Sequence, residues 1–330
     1  MASSEKILCF GELLLHFAPD SEGNWLNEQA MKIFIGGAEY NVASALSQWE
    51  NPVKLLSALP ENFVGNQLEI QLQNKGIEIL AEKNNGRIGT FYLSSDGDMQ
   101  NASVVYDRFP SVFTQSDFSQ FSFDEIFSEV KWLHISTITP ALSENAYQKC
   151  LDLMKEAVKR NITVSLDLNY RAALWKDKNP SELIRKMIPF VNVLMGNIWS
   201  IQQFLEIPIE YELNGDFDDE NLLKQAEKSA LQIQKQFPNV EMIANTFRFT
   251  NGERVNYYAT LFTDQLLVSE KYQSDKIEER VGSGDSFMAA LIHGKIKQNS
   301  SQQILDDATK VAFKKLFVKG DTIDETIKIE

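Results

Sequence analysis

WLHISTITPALSENAYQKCLDLMKEAVKRNITVSLDL, residues Trp132 to Leu168, carries a strand, a helix and a second strand in 37 residues. Trp132–Ser136 is short, apolar and rich in β-formers, as is Ile162–Leu168. Between them Ser143 is placed to accept a backbone N–H at a helix start, and Tyr147, Cys150, Leu151, Met154 and Ala157 fall on one face at helical spacing. Two apolar strands joined by an amphipathic helix form a parallel crossover unit. The same alternation runs outward in both directions. Lys6–Phe10, Val53–Ala58, Val191–Met195 and Val240–Ala244 read as further strands. Helical periodicity covers Val42, Ala45, Leu46 and Trp49, and roughly 181–189, 220–236, 285–297 and 302–317. The expected fold is therefore α/β, a mostly parallel central sheet with helices on both faces.

Residues 12–35 and 88–108 break the alternation, reading as short strands with polar interruptions. They pair into a small accessory sheet over a site, or remain long loops; periodicity does not choose between these. Asp216, Asp218, Asp219 and Glu220 form an acidic turn without the glycine and distal glutamate of a calcium loop. No repeat or low-complexity tract interrupts the chain.

With 330 residues the chain is long enough for a core that needs no disulfide or structural metal. A charge of −14 argues against a nucleic-acid or anionic-membrane surface, and any anionic ligand must be met by a local cluster of arginine, lysine and backbone N–H groups. Cys9 and Cys150 show no CxxC spacing and read as core, and His16, His134 and His293 are too scattered for a zinc site, so no protein metal site is expected. The apolar run Ile7–Phe17 is interrupted by Glu12, lacks a cleavage site and reads as a strand; no 18-residue apolar span occurs, and a cytoplasmic address is expected.

Chemistry concentrates in Val281-Gly282-Ser283-Gly284-Asp285-Ser286-Phe287. Small residues before a helix let backbone approach a ligand, and the N-terminal amides favour an anion. Asp285 beside them is either a helix cap or a general base for a hydroxyl attacking a phosphoryl group. No P-loop, dinucleotide fingerprint or protein-kinase signature accompanies it. Gly36-Gly37-Ala38-Glu39-Tyr40-Asn41 opens the first helix, where Glu39 and Asn41 could bond a polyol. Asp167-Leu168-Asn169-Tyr170-Arg171 follows a strand, at the edge where parallel sheets place ligands. Tyr106-Asp107-Arg108 supplies a phenol and a guanidinium suited to a carboxylate.

The order and spacing of these segments resemble the ribokinase-like (PfkB) carbohydrate kinases, and within them most nearly the 2-keto-3-deoxygluconate kinases. GELLLHF at Gly11–Phe17, GGAEYNVASAL at Gly36–Leu46, GRIGTFYL at Gly86–Leu93 and SVVYDRFPS at Ser103–Ser111 carry the likeness in the first third. LHISTITPALSE at Leu133–Glu144, VSLDLNYRAALW at Val164–Trp175, RVGSGDSF at Arg280–Phe287 and GD at Gly320–Asp321 complete it. The glycine pair and G-x-G-D belong to the superfamily, whereas YDR, DLNYRxxLW and the glutamate of GGAE lean to the ketodeoxygluconate branch.

The resemblance implies a ribokinase-like three-layer α/β/α domain over residues 1–330, with segments 12–35 and 88–108 forming a β lid that also commonly mediates a homodimer. It implies ATP- and Mg²⁺-dependent phosphorylation of 2-keto-3-deoxygluconate to its 6-phosphate, with Asp285 as base and the amides of Gly282, Ser283 and Gly284 as anion hole. Gly36, Gly37 and Asn41 would hold sugar hydroxyls, and Tyr92, Tyr106, Arg108, Asp167, Asn169 and Arg171 would surround the sugar acid. Asn197, Arg248 and Thr309 would join Gly282–Gly284 in meeting ATP. Where relatives carry N-x-x-E, this chain reads Asn197-Ile198-Trp199-Ser200, and His16 stands where they often have arginine. The alternatives are a kinase of this family for another sugar such as fructose, or a non-catalytic sugar-acid binding homologue.

Overall fold

The computed structural model describes residues 5–18, 29–93, 104–213, 220–251 and 254–329. Its strands are β1 (Lys6–Phe10), β2 (Leu14–Ala18), β3 (Lys32–Gly36), β4 (Val53–Pro60), β5 (Ile77–Asn84), β6 (Gly89–Leu93), β7 (Val104–Asp107), β8 (Val130–Ser136), β9 (Thr163–Asp167), β10 (Val193–Gly196), β11 (Met242–Asn251), β12 (Arg254–Phe262), β13 (Leu266–Val268) and β14 (Tyr272–Ser274).

Strand faces decide the layering. Along β1, Leu8 and Phe10 point into one apolar cluster and Ile7 and Cys9 into another, because successive side chains alternate across the sheet. Both faces are buried, so the strand is continuously apolar. Helices 38–48, 283–296 and 301–315 cover one face through Leu46, Phe287 and Ala308. Helices 144–159, 198–205 and 220–236 cover the other through Met154, Phe204 and Ile233. Helix 144–159 starts where expected, Ser143 Oγ accepting the Ala146 N–H at 3.1 Å.

The ten-stranded sheet runs β13-β12-β11-β10-β9-β8-β1-β4-β5, with β14 also on β12. Pairing is parallel from β5 to β11 and antiparallel beyond. The antiparallel edge was not foreseen. Val240–Ala244 was expected to end where polar residues begin, yet β11 continues to Asn251 because Thr246 and Arg248 face a cavity rather than the core. The six expected strands of the central sheet otherwise shift by at most two residues at each end.

The two irregular segments do pair. A separate sheet runs β3-β2-β6-β7, with β2 and β6 parallel and the outer pairs antiparallel. Its register aligns two rows. Phe34, His16, Phe91 and Tyr106 lie across one face, and Ile33, Phe17, Tyr92 and Val105 across the other. The acidic turn 216–219 lies outside the described residues. Cys9 and Cys150 are free and buried. No helix among the described residues is long and apolar enough to cross a membrane.

Candidate active site

The C-terminal ends of β9 and β10, the start of helix 283–296 and the inner face of the small sheet enclose one cavity of about 890 Å³. Helix 283–296 begins at Gly282, whose φ of +78° is left-handed. A Cβ there would sit 2.0 Å from the carbonyl oxygen of Asp321, so only glycine fits between the helix start and the 320–321 turn. The first amides of the helix lack intrahelical partners and open on the cavity with the positive end of the helix dipole.

Asp285 sits in the first helical turn, 7% exposed, and does not cap the helix. Its Oδ2 instead accepts a hydrogen bond from Asn41 Nδ2 at 2.7 Å, across 244 residues of sequence. Asn41 is delivered by helix 38–48, which the close turn at Gly37 starts: φ is +130° and a Cβ would lie 2.3 Å from the carbonyl of Glu12. Burial pushes the Asp285 carboxyl up to about 7, against the opposing pull of the Asn41 bond and Arg171. Asp167, at the end of β9, is pushed up to about 8 by burial and by the charge of Asp285. A carboxylate poised near neutrality is what proton abstraction at physiological pH requires.

Glu39 does not present itself to a ligand as a free polyol acceptor. Its Oε1 takes three bonds at 2.8 Å, from the Ser136 amide, Ser136 Oγ and Thr139 Oγ1, tying the first helix to the loop after β8. Burial raises its pKa. Arg108 is likewise engaged. Its Nε donates to Glu12 Oε2 at 2.9 Å, Nη2 bonds the same oxygen, and Ser111 Oγ bonds Oε1. This buried cluster pins the end of β7 to the entry of β2, and Arg108 lines the cavity from there.

Most expected residues reach the cavity: Gly37, Asn41, Tyr106, Arg108, Asp167, Asn169, Arg171, Asn197, Arg248 and the Gly282–Asp285 turn. Three do not line it. Gly36 packs beside it, where a Cβ would meet Asp321 Oδ1 at 2.7 Å. Tyr92 is on the far face of the small sheet, stacked on Phe17 at 5.3 Å, while its neighbours Phe91 and Leu93 turn inward. Thr309 is buried inside helix 301–315 with its hydroxyl on the Leu305 carbonyl at 2.7 Å. Those hydroxyl and ring positions are spent on the protein itself.

Residues given no role from sequence also line the cavity, among them Glu12, Arg280 and Asp321. Glu12 had a signal, a lone charge inside an apolar run; Arg280 and Asp321 lay within quoted motifs without an assigned role. Asp321 Oδ2 pairs with buried His16 Nδ1 at 2.7 Å, joining β2 to the turn behind Gly282. Asn197 and Ser200 form a reciprocal helix cap, so the position lacking an acid is a helix start in its own right. Among the described residues no three His, Cys, Asp or Glu side chains gather as a metal cage. Magnesium carried on nucleotide phosphates needs only one or two protein carboxylates and several waters, and Asp167 and Asp285 line the same cavity.

Arg171 and Arg248 bond only backbone carbonyls, of Tyr170 and Arg280, and form no ion pair among the described residues. Together with the helix amides they make one wall of the cavity suited to anions in a chain of net charge −14. A helix start with unpartnered amides, a buried carboxylate beside it and a ligand-sized cleft at the strand ends are the parts that phosphoryl transfer requires.

The chain belongs to the pfkB family of carbohydrate kinases, whose model matches residues 4–327. It is 24% identical to the 2-dehydro-3-deoxygalactonokinase of Haloferax volcanii over 322 residues, 96% of this chain and 92% of that one. It is 24% identical to Fructokinase-2 of Oryza sativa subsp. japonica over 307 residues, covering 91% and 82%. The crystal structure of 2-dehydro-3-deoxygluconokinase from Thermotoga maritima superposes with a TM-score of 0.87 at 28% identity, covering 96% of this chain and 95% of that one. The fold is thus ribokinase-like and the protein a carbohydrate kinase, of a family that uses ATP.

Proposed function

We propose that this kinase phosphorylates the primary hydroxyl of a 2-keto-3-deoxy sugar acid, 2-keto-3-deoxygluconate first, with ATP as donor and Mg²⁺ arriving on the nucleotide phosphates. The observation carrying this reading is the placement of Asp285 and the amides of Gly282–Gly284 in one cavity with Arg171, Tyr106 and the pinned Arg108. Asn41 holds one oxygen of Asp285, so the other is left for the acceptor hydroxyl. Asp285 takes the hydroxyl proton as the sugar oxygen bonds to the γ-phosphorus; the bond to the bridging β,γ-oxygen breaks and ADP leaves. The helix amides meet the charge on the transferring group, with Asn197 and Arg248 on the nucleotide side. Magnesium bound to ATP would neutralise phosphate charge in the cavity beside Asp285.

On the sugar side, Glu12 and Ser111 fix Arg108 at the end of β7, and Arg171 approaches from the loop after β9. Arg171, whose charge no carboxylate pairs among the described residues, with the Glu12-paired Arg108 beside it, favours a carboxylate over a neutral hydroxyl. The outer row of the small sheet, with Ile33 58% and Val105 51% exposed, is the face that a second copy would cover in a lid-mediated dimer.

Two measurements test the reading. Arg171→Ala should raise KM for 2-keto-3-deoxygluconate by about 10–100-fold, the worth of one charge-assisted contact, and leave KM for fructose within a few-fold. An equal change for both sugars would remove the carboxylate clamp. The second is the pH profile. A base whose pKa is raised is protonated, hence inactive, below that value, so kcat/KM should fall about tenfold per unit as pH drops below about 7. An acid limb near the ordinary carboxylate range of about 4 would dissociate Asp285 from the proton transfer.

A further inference from the structure

Lys315 ends helix 301–315 and is fully buried, at 0% exposure. Its Nζ donates to the carbonyl oxygens of Val318 at 2.9 Å and Gly320 at 2.8 Å. Among the described residues it forms no ion pair with a carboxylate. A buried ammonium held only by neutral carbonyls is costly, because hydrogen bonds recover only part of the hydration it gives up. Burial lowers the Lys315 pKa, and the more distant charges of Glu279, Asp321 and Asp285 oppose that shift. A terminal lysine that only capped its helix could do so from the surface, with no such cost.

Its position suggests what offsets the cost. A Cβ placed on Gly282 would lie 3.3 Å from Lys315 Cε and 2.0 Å from the Asp321 carbonyl. The turn that Lys315 holds is therefore the one pressed against the start of helix 283–296, and the ammonium lies behind the amides that face the cavity. An anion entering on the cavity side gains from a fixed positive charge behind the helix start.

We propose that Lys315 is a positioning residue for phosphoryl transfer, seating the Gly320–Asp321 turn against Gly282 and supplying a buried positive charge behind the anion hole. The inference rests on the reading of Gly282–Gly284 as that hole. Lys315→Gln removes the charge and keeps a neutral NH2 donor, one bond shorter than the lysine, beside the two carbonyls. It should keep its melting transition near that of the parent, lower kcat by about 10–100-fold and leave KM for the sugar unchanged, a smaller loss than removal of a direct donor. Lys315→Ala should lose as much or more and regain activity in ammonium or methylammonium salts, but not in tetramethylammonium, which cannot donate.

Wild-type kcat in Lys315→Gln overturns the proposal. So does loss in Lys315→Ala that follows melting temperature and that no amine restores, since that is the behaviour of a purely structural cap. If the parent protein turns over no sugar, the functional reading fails instead, and calorimetric ATP affinity still tests the charge: Lys315→Gln should bind ATP at least about tenfold more weakly, and equal binding overturns the proposal.

Discussion

Asp285→Asn should fold like the parent and lose about 10²–10⁴ in kcat, with little change in the KM of either substrate. The asparagine is nearly isosteric and its amide oxygen can still accept from Asn41 Nδ2, so the 2.7 Å contact between the two helices survives. The substitution also removes a carboxyl group that burial disfavours in its charged form, so no loss of stability is expected. What disappears is the ability to take a proton. Because Asn41 and the helix amides remain, ATP and sugar should still bind, and the loss belongs to the chemical step. Near-normal turnover in this variant would mean that the hydroxyl loses its proton elsewhere.

Gly282→Ala carries the second large effect, on both stability and rate. A non-glycine residue at φ +78° costs about 1–3 kcal/mol, and forcing a methyl into a packed site adds about 1–3 more. Here the obstacle is backbone, the Asp321 carbonyl at 2.0 Å, which cannot rotate away as a side chain could. The helix start must shift, moving the amides that open on the cavity, and misplacing one such donor costs about 10²–10³ in rate. Thermal unfolding and kcat measured on the same preparation check both parts. A variant with unchanged melting and turnover would show that this turn tolerates movement and is not the anion hole.

The fold was legible because its decisive units are local. The Trp132–Leu168 stretch contains its own cap, its own helical stripe and both flanking strands, and β8, β9 and helix 144–159 follow it closely. The small sheet was legible only as an irregularity, since its pairing joins residues 75 apart in sequence, such as Leu14 and Gly89. Register then decides which side chains face inward. Tyr92 looked like a ligand residue, but its pairing opposite Phe17 sends it outward with Val105, while Phe91 and Tyr106 share the other row.

The site was legible where a motif places donor and acceptor on one turn, as in Gly282–Asp285. It was illegible where function is a long-range partner. Nothing local announces that Asn41 orients Asp285, that Glu12 holds Arg108, or that Lys315 closes on the turn behind Gly282. Thr309 shows the converse: a hydroxyl near the C-terminus with the right chemistry spends it on its own helix.

Whether this carbohydrate kinase acts on a sugar acid can be read from a panel of acceptors. Coupled ADP release with ATP and Mg²⁺, against 2-keto-3-deoxygluconate, 2-keto-3-deoxygalactonate, fructose, ribose and gluconate, tests it most directly. Turnover of the keto-deoxy acids is expected with kcat/KM at least about 10²-fold above that of the neutral sugars, the discrimination that arises when buried polar groups would be left unpaired. Fructose or ribose turned over as well as the acids would contradict it, and so would calorimetric binding of the sugar acid without any release of ADP.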